Sequence, residues 1–287
     1  MQYHVNGRLV DESEATVSVE DRGFQYGDAA FETLRAYGGT VFEWDAHRDR
    51  LAGTCETLGM PDAVPDDLHD RIVATLEANA LADAYVRASV TRGVQAGKLT
   101  PAPEVDPTVV VVVKPLPRGG VEGTPVWDRP ATVRTVETRR VPEAAMPADA
   151  KTHNYLDGIL ARLELRGTDA DEALVCDVEG HVAEGATSNV FLVDSGVLRT
   201  PTLSGPILPG VTRRVVLDIA RELDVPVETG RYDVDDVRAA EEAFLTNTTW
   251  AVRPVASVDG VDVGGGPITD RLASAFDRRV EAWYDGE

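Results

Sequence analysis

Pro115-Leu116-Pro117-Arg118-Gly119-Gly120-Val121-Glu122-Gly123-Thr124 divides this chain. Prolines and glycines at this density suit neither a helix nor a strand, so the stretch reads as a linker. A chain of 287 residues fits two modest domains. The expected division is a smaller domain over 1–115, a loop over 116–124 and a larger domain over 125–287.

Upstream of the linker the pattern is mixed. Tyr3–Val5 and Arg8–Val10 flank Asn6-Gly7, and Phe31–Tyr37 and Thr40–Phe42 flank Gly38-Gly39. Both read as hairpins. A helix is expected from Asp45, a good N-cap, with Leu51, Cys55 and Leu58 turned inward. A second, over Pro65–Ala80, places Leu68, Ile72, Val73 and Leu76 on one face. Tyr85–Thr91 and Thr108–Lys114 read as strands, the latter buried on both faces because it holds five consecutive valines. Downstream the expected order is strand (Ala131–Thr138), helix (Asn154–Arg166), strand pair (Ala173–Asp177 and Asn189–Val193), helix (Val211–Leu223), strand (Ala243–Thr246) and helix (Thr269–Trp283). The fold class is α+β in two domains.

Composition narrows the function. Hydrophobic residues at 43% and charged residues at 27% exclude a disordered or fibrous chain. A net charge of −21 argues against nucleic acid or an anionic membrane as partner. No run approaches the ~18–20 apolar residues of a membrane span, and the first ten residues lack a signal pattern. Cys55 and Cys176 form no CxxC pair, so a reducing, cytoplasmic setting is expected, and no metal-ligand set is read. Of 28 basic residues only Lys98, Lys114 and Lys151 are lysines. This suits adaptation to high salt, where screening tames carboxylate repulsion; equal stability in dilute buffer and molar salt would contradict it.

Against that background Lys151 stands out. An arginine cannot replace an amine that must lose its proton and form an imine. Tyr155 follows four residues later and shares a helix face with Lys151 if the helix reaches back that far. Leu208-Pro209-Gly210-Val211-Thr212-Arg213 combines a turn, a helix start and a hydroxyl, a set suited to a phosphate monoester or to an ordinary helix start. Thr246-Asn247-Thr248-Thr249, ending an apolar strand, suits an anion or a plain polar turn. Glu184 is solvent-facing unless it serves a ring nitrogen that must keep its proton. Arg50 is a surface residue or a bidentate phosphate ligand. Tyr85 and Arg87 share one face of a strand, as a carboxylate grip or an edge strand. Tyr26 and Phe31 complete the candidates.

Taken in order, these segments resemble the class IV aminotransferases, pyridoxal-phosphate enzymes of fold type IV. The resemblance rests on Tyr26-Gly27-Asp28 with Phe31-Glu32, Arg50-Leu51, Lys151 with Asn154-Tyr155-Leu156, Glu184-Gly185 with Ser188-Asn189, Leu208–Arg213 and Thr246–Thr249. It implies a small N-terminal and a large cofactor-binding C-terminal domain, a homodimer, and pyridoxal 5'-phosphate bound to Lys151 as an internal aldimine. It further implies that Glu184 pairs with the pyridinium nitrogen and Tyr155 with the phenolic oxygen. Arg50, Gly210, Val211, Thr212 and Thr248 would hold the phosphate, and Leu208 would lie against the ring. Substrate contacts would come from Tyr26, Phe31, Thr33, Tyr85, Arg87 and Thr249.

The implied reaction is ping-pong amino transfer between an amino acid and a 2-oxo acid. Tyr85-Val86-Arg87 resembles branched-chain aminotransferases. Phe31-Glu32-Thr33 and Phe244-Leu245-Thr246-Asn247 resemble aminodeoxychorismate lyases, so pyruvate elimination giving 4-aminobenzoate is the alternative.

Overall fold

The computed structural model describes residues 1–122 and 124–284; Gly123 of the linker lies outside the described residues. The chain forms two compact units. The first comprises Met1–Pro125, Ala150–Asn154 and the C-terminal residues from Ala282; the second comprises Val126–Asp149 and Tyr155–Glu281.

In the first unit the elements are β1 (Gln2–Val5), β2 (Arg8–Asp11), α1 (Arg22–Tyr26), β3 (Ala29–Tyr37), β4 (Thr40–Val41), α2 (Trp44–Thr57), α3 (Leu68–Ala78), β5 (Ala84–Thr91) and β6 (Val109–Pro115). The strands form an antiparallel sheet in the order β2-β1-β6-β5-β3-β4. Both hairpins form as read, with Asn6, Gly7, Gly38 and Gly39 at positive φ.

One face of this sheet packs on α2 and α3. Leu34, Val86, Val90, Val109, Val111 and Val113 meet Leu51, Cys55, Leu68, Ile72 and Leu76 in one core. The valine run is therefore not buried on both faces: Val110 and Val112, which point away from the helices, are only half-buried. The reason is antiparallel topology, which leaves one face without a crossover helix.

Two helix starts differ from expectation. The chain leaves β4 through left-handed Glu43, so α2 is under way at Trp44 and Asp45 lies in its first turn rather than at the cap. The helix expected from Pro65 begins at Leu68, and Val73 is half-buried while Thr75 takes the inward position, its hydroxyl satisfied by Arg71 O.

The second unit holds β7 (Ala131–Arg139), α4 (Leu156–Glu164), β8 (Glu172–Cys176), β9 (Val182–Gly185), β10 (Asn189–Asp194), β11 (Val197–Pro201), α5 (Val211–Glu222), β12 (Val227–Gly230), α6 (Val234–Ala239), β13 (Glu242–Asn247), β14 (Ala251–Val258), β15 (Val261–Asp262) and α7 (Pro267–Tyr284). Its sheet runs β12-β11-β10-β13-β14-β7-β8-β9, with β15 on β14. The segments read as a strand pair, β8 and β10, are not hydrogen-bonded neighbours; β9, unrecognised in the sequence, pairs with β8 instead. The Phe191 and Phe244 rings stack across β10 and β13 with centroids 4.8 Å apart.

α4 begins at Leu156, so Lys151 is not on it, and the face shared by Lys151 and Tyr155 does not exist. No helix among the described residues is long and apolar enough to cross a membrane.

Candidate active site

In the first unit, residues 151–153 run antiparallel to the start of β3. Phe31 N donates to Lys151 O (3.0 Å) and His153 N donates to Ala29 O (2.9 Å), while Ala30 and Thr152 form the bridge between them. Lys151 N is satisfied by Thr54 Oγ1 on α2 (3.0 Å). Extended backbone sends alternate side chains to opposite sides. Thr152 is buried, while Lys151 and His153 both reach the Phe31 ring: Lys151 Nζ lies 4.4 Å from its centroid, and the His153 ring meets it edge-on at 5.5 Å.

β5 supplies the rest of this face. Ser89 pairs with Phe31 and Arg87 with Thr33 in the β3–β5 register. The Arg87 guanidinium lies 3.7 Å from the Phe31 centroid. Tyr85, two residues before Arg87, shares its half-buried side. β5 is flanked by β3 and β6, so it is no edge strand. Tyr26 stands apart, at the end of α1 under the Arg22 guanidinium.

Arg50 is not a surface residue. Glu32, on the opposite side of β3, accepts from Arg50 Nε (2.7 Å), Arg50 Nη2 (2.6 Å) and His47 Nδ1 (2.7 Å). Burial alone would raise the pKa of Glu32, but the charge and hydrogen bonds of Arg50, aided by His47, hold it at about 2. The plane of the Arg50 guanidinium is thus set before any ligand arrives. Burial, together with Arg50 and Lys151, keeps the His47 pKa low despite Glu32.

In the second unit, Glu184 on β9 is buried rather than solvent-facing. Its Oε1 is 3.1 Å from Arg140 Nε, and its Oε2 accepts from Asn189 Nδ2 (3.2 Å) and Leu208 N (3.1 Å). Asn189 Nδ2 also donates to Leu208 O (3.0 Å). Arg140 is further paired with Asp157. Burial works against its charge, but Glu184 and Asp157, with Tyr155, raise its pKa. Tyr155 is the residue that caps α4.

The same asparagine shapes the turn before α5. A Cβ on Gly210 would stand 2.0 Å from Asn189 Oδ1, so any side chain there would displace the Asn189 amide. Gly210 is also the N-cap of α5 and provides no side-chain cap, which leaves the first-turn N–H groups of Val211 and Thr212 directed outward. Thr212 is buried within that turn. In the loop after β13, Asn247 Oδ1 accepts from Thr249 N, Thr249 Oγ1 and Trp250 N. Thr248 lies within this tight turn, half-buried. Thr246 Oγ1 is buried without a hydrogen-bond partner among the described residues.

Sequence reading missed Arg140, His47 and His153 as members of these groups. It quoted Glu32 and Asn189 only as parts of motifs. A period-two reading after Lys151 would have found His153; Arg140, eleven residues before Lys151 with an irregular loop between, leaves no local signal.

An uncapped helix start, a glycine cradle and an anchored carboxylate form a donor and acceptor set that fits a phosphorylated aromatic aldehyde. The comparisons agree. The profile described as "Amino-transferase class IV" matches residues 29–258. The chain is 32% identical to the D-alanine aminotransferase of Listeria monocytogenes, covering 96% of this chain and 95% of that protein. Among solved structures, the branched-chain aminotransferase of Thermoproteus uzoniensis with norvaline superposes with a TM-score of 0.91 at 32% identity, covering 98% and 95% of the two chains. The T.th. branched-chain enzyme complexed with N-(5'-phosphopyridoxyl)-L-glutamate gives 0.89 at 30% identity, covering 99% and 96%. The 4-amino-4-deoxychorismate lyase of Pseudomonas aeruginosa gives 0.84 at 30%, covering 96% and 98%. This chain belongs to the class IV aminotransferase family, whose members use pyridoxal phosphate.

Proposed function

We propose that the chain transfers an amino group between an amino acid and a 2-oxo acid, with Lys151 as the reacting amine. The observation that carries this reading is the register at Phe31, which gathers Lys151, Arg87 and His153 around one ring. Bound pyridoxal phosphate supplies the electron sink for the bond broken at the substrate Cα. Lys151 Nζ holds the cofactor and moves the Cα proton. Glu184, braced by Arg140, Asn189 and Leu208 N, presents a fixed anion to the ring nitrogen and favours its protonated form. Arg50, oriented by Glu32, is one phosphate ligand. The N–H groups of Val211 and Thr212, the Thr212 hydroxyl and Thr248 are the others, with Gly210 keeping the turn open. Tyr155 serves the phenolic oxygen, and Leu208 covers one ring face.

Phe31, Thr33, Tyr85 and Arg87 form the substrate wall on one side of the β3–β5 pair, with Tyr26 and Thr249 as further contacts. Arg87 takes a carboxylate, in keeping with the glutamate adduct of the T.th. relative. Thr33, opposite Arg87, is the observation behind the second reading, pyruvate elimination from aminodeoxychorismate.

The working form is a homodimer. On α4, Leu156, Ile159, Leu160 and Leu163 are between 38% and 65% exposed in a continuous i, i+3, i+4, i+7 stripe. Such a stripe is what a second copy of the chain would cover. The two buried, unpaired cysteines support a cytoplasmic setting.

The decisive experiment treats holoenzyme with borohydride and maps the adduct by peptide mass spectrometry. The adduct is expected on Lys151, and Lys151→Ala should lose it together with at least about 10³-fold of turnover. A wild-type adduct elsewhere defeats the reading. Keto acid formed from amino acids and 2-oxoglutarate supports transfer; pyruvate plus 4-aminobenzoate from aminodeoxychorismate supports the lyase instead.

A further inference from the structure

Arg87 differs from several arginines near the two sites. Arg22, Arg50, Arg92 and Arg140, all largely buried, each close on a carboxylate. Arg87, half-buried in a chain with 49 acidic residues, has no carboxylate partner among the described residues; its guanidinium lies on Phe31. Beside it stands His153, whose Nε2 is 3.3 Å from Ser89 Oγ. Resting on the amino-transfer reading, we propose that His153 is a specificity-determining residue that joins Arg87 in holding the distal carboxylate of a dicarboxylic 2-oxo acid.

The strand register supplies the placement. His153 follows Lys151 by two extended residues, so both side chains leave the same side of the segment. Both meet the Phe31 ring, and so does Arg87. An acid whose reacting carbon meets Lys151 would bring a distal carboxylate to this ring, where Arg87 and His153 both lie.

The chemistry of the imidazole suits that task. Burial first, and then the charge of Arg87, push the His153 pKa down to about 4 against the weaker pull of Asp21. The ring is neutral at neutral pH, so His153 adds no further positive charge beside Arg87. In the tautomer in which Ser89 Oγ donates to Nε2, the ring carries its own proton on Nδ1 and can donate it to a carboxylate oxygen. A charged acceptor thus meets a permanent cation and a neutral donor, and a monocarboxylic acceptor of similar length leaves both unused.

The test compares His153→Phe, which keeps the ring edge on Phe31 but removes both nitrogens, with His153→Gln, which keeps a donor. Holoenzyme is assayed with 2-oxoglutarate and with 4-methyl-2-oxopentanoate. In His153→Phe the ratio of kcat/KM for the first over the second should fall about tenfold, chiefly through KM for 2-oxoglutarate. His153→Gln should recover most of that ratio. Binding of two unreactive acids to holoenzyme, glutarate and pentanoate, is measured by calorimetry as a readout independent of turnover. Glutarate should weaken about tenfold in His153→Phe, and pentanoate by much less. Parallel losses for both acceptors, or for both unreactive acids, would assign His153 to general packing and overturn the proposal, as would no loss at all. Should His153→Phe fail to fold, Ser89→Ala carries the same expectation at about threefold. If glutarate binding depends on His153 but no amino transfer is found, the amino-transfer reading fails and the dicarboxylate site stands.

Discussion

Around Phe31, in the first unit, an amine, a guanidinium and an imidazole share one aromatic ring, and Arg87 meets no carboxylate among the described residues. Around Glu184, in the second unit, the opposite holds. One carboxylate is met by an arginine, an amide and a backbone N–H before any ligand is present. The difference fits the roles proposed for each region. A group that serves a permanent cofactor gains from being fixed in advance. A group that must grip and release a substrate keeps its charge available, and the protein forgoes the ion pair it would otherwise make.

The contrast can be broken most severely at Glu184. Glu184→Leu strands Asn189 and half of the Arg140 interactions in a buried place, so unfolding free energy should fall by about 3 kcal/mol. Urea denaturation of wild type and variant measures it; a loss below about 1 kcal/mol would mean that Glu184 is not held by these partners as described. Next comes Asn189→Ala, which removes one donor from Glu184 and one from Leu208 O. A loss of about 1–2 kcal/mol is expected by the same measurement, with weaker retention of pyridoxal phosphate on dialysis because the Gly210 turn loses its support.

The first unit contributes a pH effect of similar size. His153 and His47 have pKa values below their ordinary value, so the unfolded chain binds protons before the folded one does. Stability from His153 is therefore present above about pH 6.5 and is lost as pH falls toward 4. Glu32, depressed to about 2, adds a further loss below about pH 4.5. Each group contributes a slope of at most about 1.4 kcal/mol per pH unit. Melting temperatures between pH 7 and 4 should drop, and His153→Phe should flatten that decline. The smallest effect sharpens the contrast: Arg87→Leu should change stability by less than about 0.5 kcal/mol, since no ion pair is lost. A change above about 2 kcal/mol would show that Arg87 is a structural residue.

Much of this was legible in one dimension. The two hairpins, α5, β13, the last helix and the Lys151, Glu184 and Leu208–Arg213 motifs were readable, because turn dipeptides, helical periodicity and glycine demands are local. Three things were not. Whether the helix read from Asn154 reached back to Lys151 was open in the sequence, because nothing between them breaks a helix; pairing with β3 holds residues 151–153 extended. The five valines of β6 read as doubly buried because residue type does not say which face a helix covers. β9 was overlooked because four residues leave too short a pattern, though they carry Glu184.

The amino-acid sequence by itself determined which chemical groups the protein owns: three lysines in all, Lys151 among them, a glycine where a side chain would press on Asn189, and a class IV pattern along most of the chain. Only the tertiary structure decided which groups meet. Arg140 joins Glu184 across a long separation in sequence, Glu32 turns Arg50, and His153 comes to lie beside Arg87. Such meetings depend on strand register and side-chain burial, and neither is encoded by the spacing of residues along the chain.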